Sequence, residues 1–430
     1  MSKIYFLTFS AALGNMSKLY FLTFSAALGN MSKLYFLTFS AALGNMSKLY
    51  CTRLHENCTR LHENCTRLHE NCTRLHENFL VYSFTKNFRI MITRTPDFSL
   101  LHHNTFGIDA RCREFVEYDT EDDLLALLPE LRGTKYFHIG GGSNLVFVGD
   151  YAGTVLHSRI KGFEPLAPAP DGSLRVRIGA GEVWDEAVDY LVEHGYYGAE
   201  NLSYIPGETG AAAVQNIGAY GAEVADIIES VEALRVSDGE RVVFLKEQCA
   251  YAYRQSIFKG AARGQYIVTR VTLRLQPAFT PSIGYGAIEH EVERRGIDLP
   301  ALTARELRNI IIDIRRSKLP EPSEVGSAGS FFMNPVVPRP QFEALQQHYP
   351  DMPHYDAPGG IKIPAGWMIE QCGWKGRTVG RVGVYDKQAL VLINAGGATG
   401  REVYNLAQTI AADVQAKFGI EITPEANFVE

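Results

Sequence analysis

Near-perfect short copies fill the first 78 residues and limit where a fold can come from. "MSKIYFLTFSAALGN" occupies 1–15, "MSKLYFLTFSAALGN" follows at 16–30 and 31–45, and "MSKLY" at 46–50 breaks into four copies of "CTRLHEN" over 51–78. Packed repeat architectures have periods of about 20–50 residues and atypical end caps. Identical units of seven and fifteen residues look instead like translated tandem DNA. The expectation is a leader over 1–90 outside the fold, with the functional protein starting near Met91. Two functional readings compete with it. Each fifteen-residue unit places a lysine before an apolar run, like a signal peptide, but that run is shorter than the about 20 residues a bilayer span needs. The cysteines and histidines of the heptads invite a metal, yet Cys-x3-His and Cys-x6-Cys match no zinc spacing.

Setting 1–90 aside changes the charge. The whole chain is −6, and Lys3, Lys18, Lys33, Lys48, Lys86 and Arg89 are unmatched by acids in 1–90, so the remainder carries −12. An acidic body argues against non-specific binding to nucleic acid. Its cysteines are Cys112, Cys249 and Cys372. So sparse and odd a set suggests reduced thiols and a cytoplasmic protein. No transmembrane run follows Met91, and 46% hydrophobic with 21% charged residues is ordinary soluble composition.

From Met91 onward the pattern is α+β. "TEDDLLALLPEL" starts on a Thr120 cap with leucines at helical spacing. "TKYFHI" and "LVFV" are predicted strands flanking the tight loop "GGGSN". "LRVRIGAG" alternates like a strand, and "EVWDEAVDYLVEHG" is an amphipathic helix closed by Gly195. A long Gly/Ala-rich loop is expected at 205–221, then strands at "SVEALRV", "ERVVFLK" and "QYIVTRVTLRL". Thr303 and Glu306 form a capping box for a helix that stops at Pro320. "PEPSEVGSAGS" is a plausible domain boundary. A strand "ALVLINA", a helix capped by Thr399 and Glu402 and ended by Gly419, and a final strand "IEI" complete two mixed domains and a smaller C-terminal one.

Several segments carry chemistry. "HIGGGSNLVFV" is a strand, a glycine loop and a strand. Such glycines let backbone N–H groups approach phosphate oxygens, although a plain hairpin turn reads equally well. It is not a dinucleotide fingerprint, since Leu145 replaces the third glycine and a strand follows. "IPGETGAAAVQNIGAYG" has little side chain to bury, and two small-residue loops suit a long ligand with a pyrophosphate in its middle. "YAYRQSIFK" sets Arg254 among aromatics, where a surface arginine stacked on Tyr251 or Tyr253 is the plainer reading. "RRSKLPEP" ends a helix with favourable cations, and "SIGYGAIE" puts Tyr285 between glycines, as a plain turn would. Ser330 of "GSAGSFFMNP" stands between glycines and two phenylalanines, as packing or as chemistry.

These segments, with "NTFGID", "AGWMIEQCG" and "TPEANF", occur in one order. Together they closely resemble the UDP-N-acetylenolpyruvoylglucosamine reductase (MurB) family, over essentially 91–430; "GYGAIE" looks like its type I branch. The resemblance implies a two-part FAD-binding domain of the PCMH/vanillyl-alcohol-oxidase type and a smaller C-terminal α/β substrate domain. Its parts would be 91–163, joined by the C-terminal strand 420–430, then 164–318, and 319–419 for the substrate domain. It implies non-covalent FAD, NADPH as reductant, and a UDP-sugar enolpyruvyl ether reduced in peptidoglycan synthesis by a cytoplasmic monomer. Carried over by motif, Arg254, Ser330 and Glu425 would be catalytic. FAD would be met by Gly140, Gly141, Gly142, Ser143, Asn144, Pro206, Gly207, Gly210, Asn216, Gly218 and Ala219. The substrate would be met by Tyr220, Tyr285, Lys318, Asn334 and Gln371. "GGGSN" stands where "GEGSN" is commoner, and "GETGAAAVQN" varies the second loop. The alternative enzyme is another FAD-dependent oxidase or dehydrogenase with the same flavin domain, in which His138 would tether the flavin. A nucleotide-binding module without chemistry would have lost Arg254, Ser330 or Glu425.

Overall fold

The structure, a computed structural model, describes residues 91–430; the expectations for 1–90 lie outside the described residues. "RCREFVEY" buries Cys112, Phe115, Val116 and Tyr118. It forms β2 (Arg111–Tyr118), antiparallel to β1 (Ile92–Ser99). α1 (Glu121–Leu131) follows, and Thr120 and Asp123 close its expected capping box. Its leucines 124, 127, 128 and 131 pack against Val116 and Leu156. β3 (Tyr136–Ile139), the "GGGSN" loop and β4 (Leu145–Phe147) lead to β5 (Tyr151–Ser158). β2, β5 and β3 are parallel, in the order β1-β2-β5-β3, and β4 lies outside this sheet.

A second, antiparallel sheet begins with β6 (Phe163–Leu166) and β7 (Leu174–Gly179), followed by α2 (Trp184–Glu193). The segment 205–221 departs from the expected open loop. It holds α3 (Thr209–Gln215) and β8 (Gly218–Ala219), which pairs with β9 (Ala222–Glu223). The reason is the alanines: they are the strongest helix formers, and small side chains allow close packing. A Cβ on Gly210 would stand 2.8 Å from the Cβ of Ala180. β10 (Ile228–Arg235), β11 (Arg241–Leu245) and β12 (Tyr266–Leu275) complete the order β11-β10-β12-β7-β6. α4 (Gly286–Arg294) and α5 (Ala304–Lys318) share a small core of Ile288, Val292, Leu307, Ile310, Ile311 and Ile314. The Thr303–Glu306 box caps α5 as the sequence predicts.

The C-terminal third runs β13 (Gly326–Ser330), β14 (Val336–Val337), α6 (Arg339–His348), β15 (Tyr355–Ala357), β16 (Gly360–Lys362) and α7 (Ala365–Gln371). Then come β17 (Thr378–Val379), β18 (Val382–Val384), β19 (Val391–Asn394) and α8 (Gly400–Phe418). The sheets are β13-β19-β18-β17 and β14-β16-β15. One apolar core runs from Phe106, Phe115 and Phe147 to Phe331, Phe332, Met368 and Ile410. "IEI" is not a strand. Ile420 and Ile422 are buried, so their alternation records burial of an extended segment, not a ladder. The strand lies beyond it, as β20 (Asn427–Val429), parallel to β4 in the register Asn427↔Leu145 to Val429↔Phe147. The end of the chain is thereby tied to the strand that follows the first glycine loop.

Candidate active site

Two extended segments lie side by side at the centre of the site. Phe331 N–H donates to the carbonyl of Leu390 at 2.8 Å, and Glu425 N–H donates to the carbonyl of Phe331 at 2.8 Å. Phe331 and Phe332 are 0% and 1% exposed, so they anchor the turn from below while Ser330 is exposed at the end of β13. Glu425 is fixed from its other side as well, where Asn144 Nδ2 donates to its carbonyl at 3.0 Å and to Gln215 Oε1 at 2.7 Å.

Arg254 reaches the same place from a tight turn closed by Ala252 and Gln255. Its φ is +56°, a left-handed conformation that costs a non-glycine residue about 1 kcal/mol or more. Lys259 Nζ donates to its carbonyl at 2.9 Å. The guanidinium donates to the carbonyls of Asn216 (3.2 Å) and Gly218 (2.6 Å). Its Nε lies 2.8 Å from Glu425 Oε1 but off the N–H line, so this contact is an ion pair without a hydrogen bond. The Tyr253 ring stands 5.2 Å away, yet the side chain is only 16% exposed. The stacking on Tyr253 is therefore present, but on a clamped, half-buried fork and not on a surface arginine. Burial raises the pKa of the Glu425 carboxyl, and the charges of Arg254 and Lys259 oppose that rise.

Arg254, Ser330 and Glu425, from three distant segments, line one cleft of about 780 Å³ including its open mouth. Ser143, Asn144, Pro206, Gly207 and Gly218 line it too. The two small-residue loops touch. Ser143 Oγ donates to the carbonyl of Pro206 at 2.9 Å, and a Cβ on Gly141 would meet Gly207 Cα at 3.4 Å. Gly207 has φ +126°, and a Cβ there would come 2.9 Å from Ser143 Oγ. The loops so packed form one wall of the cleft through Ser143, Asn144, Pro206, Gly207 and Gly218, a small-residue lining that fits a dinucleotide such as FAD.

Other proposed cofactor positions serve the scaffold. Gly142 turns its Cβ position into the carbonyl of His103, at 2.0 Å. Gly210 packs on Ala180. Asn216 is fully buried, and its amide is spent on Glu223, Ala252 and Ala225. Gly140 faces Glu208 and Ala211, and Ala219 follows Gly218 in β8. Neither these five nor Gly141 lines the cleft.

The five substrate candidates stand outside the lining residues. Tyr220 and Tyr285 meet edge to face at 5.4 Å, and Tyr285 is 50% exposed. Lys318 is exposed at the end of α5. Asn334 Oδ1 accepts from Ala365 N at 2.9 Å and so holds the start of α7. Gln371 is exposed at the end of that helix. His138 engages Tyr118 OH through Nε2 at 2.7 Å and is not a cleft-lining residue.

Arg315, Gln215 and Glu208 also line the cleft. Arg315 stands three residues before Lys318, on one face of α5, and that spacing was its available signal. Glu208 is the lone acid of the second glycine loop.

Comparison with known proteins agrees with this geometry. Residues 113–244 match the family described as FAD binding domain, and residues 321–429 match the one described as UDP-N-acetylenolpyruvoylglucosamine reductase, C-terminal domain. The UDP-N-acetylenolpyruvoylglucosamine reductase of Bacteroides fragilis (strain YCH46) is 53% identical over 334 residues, 77% of this chain and 99% of that one. That of Porphyromonas gingivalis (strain ATCC BAA-308 / W83) is 47% identical over 338 residues, 77% of this chain and 98% of that one. The crystal structure of the MurB from Thermus caldophilus shares the fold, with a TM-score of 0.53 at 22% identity over 79% of this chain and 99% of that one. With more than half its matched residues identical to a relative covered almost end to end, the chain belongs to the UDP-N-acetylenolpyruvoylglucosamine reductase family.

Proposed function

We propose that this enzyme reduces the enolpyruvyl ether of UDP-N-acetylglucosamine to the lactyl ether of UDP-N-acetylmuramate in peptidoglycan synthesis, with NADPH as reductant and FAD held without a covalent bond. The observation that carries it is the meeting of Arg254, Ser330 and Glu425 in one cleft with two glycine loops. Bound FAD supplies the hydride, taken from NADPH, that adds to the methylene carbon of the enolpyruvyl group. Negative charge then develops on the neighbouring carbon and its carboxylate. Arg254 stabilises that charge from a position already fixed by two carbonyls, which leaves an N–H on each terminal nitrogen for the carboxylate. Ser330, exposed at the strand end, gives its proton to the carbon. Glu425, its protonated form favoured by burial, donates to the developing enolate. Lys318, Tyr285, Tyr220, Asn334 and Gln371 hold the UDP-sugar.

The test is substrate-dependent NADPH oxidation by the purified protein, with stopped-flow absorbance separating flavin reduction from flavin reoxidation. Ser330→Ala keeps reduction by NADPH and slows reoxidation by the enolpyruvyl substrate by more than the roughly 10²–10⁴-fold usual for general acids. Ser330→Cys retains more, since a thiol also gives a proton. If Ser330→Ala slows both halves equally, or neither, the serine is packing.

A further inference from the structure

Beneath the glycine loops lies a set of titratable groups that this chemistry does not use. His157, in β5, is 15% exposed at its side chain. Its Nδ1 lies 3.1 Å from Glu117 Oε1 on β2, and its Nε2 lies 2.8 Å from Glu208 Oε1 in the second glycine loop. Both ring nitrogens therefore face carboxylate oxygens. A neutral imidazole has one N–H and leaves one carboxylate without its donor, whereas the imidazolium serves both. Glu208 is 10% exposed at its side chain and lines the cleft. Its Oε2 stands 3.2 Å from where a Cβ on Gly140 would be. One carboxylate thus belongs to the second loop, rests on the first, and is held by His157.

The neighbours leave this charge to His157. The His103 ring lies edge-on at 5.9 Å, with His102 beside it, and burial lowers the pKa of His103. His138 on β3 is lowered by burial and by His157, and Tyr118 holds it by a hydrogen bond. Arg159 lies 3.8 Å from Glu117 and 3.1 Å from Asp119.

We propose that His157 and Glu208 are a positioning pair for FAD: the imidazolium neutralises Glu208 and holds it against the first glycine loop, so that the flavin is bound tightly while His157 is protonated and loosely once it is not. This rests on the reading of the cleft as the FAD site. Burial alone would lower the pKa of His157, but hydrogen bonds and charge from Glu208, and then Glu117, outweigh it and raise it. A histidine raised in the folded state contributes stability that is fully present below its ordinary value near 6.5. That contribution is lost as the pH rises through the raised value. Deprotonation leaves Glu208 uncompensated beside a ligand that carries a pyrophosphate. One uncompensated charge about 4 Å from another corresponds to roughly tenfold in affinity.

Flavin-stripped full-length protein is titrated with FAD by flavin fluorescence between about pH 6 and about pH 9 at fixed ionic strength, and the melting temperature of the stripped protein is read across the same window. The wild-type Kd rises about tenfold with pH, and the melting temperature falls with it. His157→Gln binds weakly at the acid end and loses the step. Glu208→Gln, which leaves His157 its bond to Glu117, also loses the step and binds at least as tightly at the alkaline end. A merely structural role would lower melting without a step in Kd. A pH-independent wild-type Kd, or a wild-type step retained in either variant, overturns the proposal and leaves the cofactor assignment standing. Absence of flavin binding at every pH overturns both.

Discussion

Glu425 sits between opposing influences, and its protonation state follows from which is removed. Burial raises its pKa, and the charges of Arg254 and Lys259 pull it back. If Glu425 is the acid proposed above, kcat/KM falls as pH rises through that raised value. Lys259→Met removes one opposing charge, so the alkaline limb of the pH profile moves to higher pH. Glu425→Gln lowers kcat by about 10²–10⁴-fold and abolishes the limb. A limb that stays in place in Lys259→Met would detach Lys259 from Glu425. Much of this candidate site was legible as residue types in order: a fork-shaped cation, a hydroxyl between a glycine and two phenylalanines, a lone carboxylate after a proline. What was not legible is which small or polar residues line the cleft. Gly142, Gly210 and Asn216 lie in the same motifs as Ser143 and Gly207, yet their glycine or amide character is demanded by His103, Ala180 and Glu223. Sequence shows that a backbone must come close to something, and only the fold shows to what.

Helix ends were the most legible elements, because a capping box is a local arrangement of four residues. Thr399 Oγ1 accepts from Glu402 N at 3.3 Å, and Glu402 Oε2 accepts from Thr399 N at 2.8 Å, as the sequence predicts for α8. α3 and β20 were misread because their signals are not local. Alanines have little side chain to report burial, and a three-residue parallel strand depends on a partner some 280 residues away. α8 separates the two kinds of constraint experimentally. Thr399→Ala removes one cap and costs about 1 kcal/mol. Gly400 is next in the chain and looks equally replaceable, but a Cβ there would stand 1.7 Å from the carbonyl oxygen of Phe147. That oxygen is backbone of β4 and cannot rotate away. Gly400→Ala should therefore cost more, about 1–3 kcal/mol or above, and lower the melting temperature further than Thr399→Ala. The reverse order would mean that α8 is free to slide on β4.

At the scale of the whole molecule, the two ends of the chain should matter very differently. Residues from Ile90 onward form one compact unit, which holds the cleft-lining side chains named above. A protein of residues 91–430 is accordingly expected to match the full-length chain in flavin per polypeptide, melting temperature and turnover, and a clear loss of any would give 1–90 a part in the site. Removal of 427–430 should do the opposite, although it takes away none of the three proposed catalytic residues. β20 is held by its pairing with β4, by Asn427 N–H donating to the carbonyl of Asn144 at 3.0 Å, and by Val148 N–H donating to the carbonyl of Val429 at 2.9 Å. Phe428 lies 5.9 Å from Phe331 and 5.0 Å from Tyr404. Without these ties Glu425 keeps its backbone bonds to Phe331 and Asn144 and its ion pair with Arg254, and β4 loses its only ladder partner among the described residues. Because β4 follows directly on the first glycine loop, flavin retention and kcat should fall together, and added FAD should restore the first more than the second. If the truncated protein keeps full turnover once saturated with FAD, the strand serves stability alone and Glu425 is positioned by its neighbours Phe331 and Asn144.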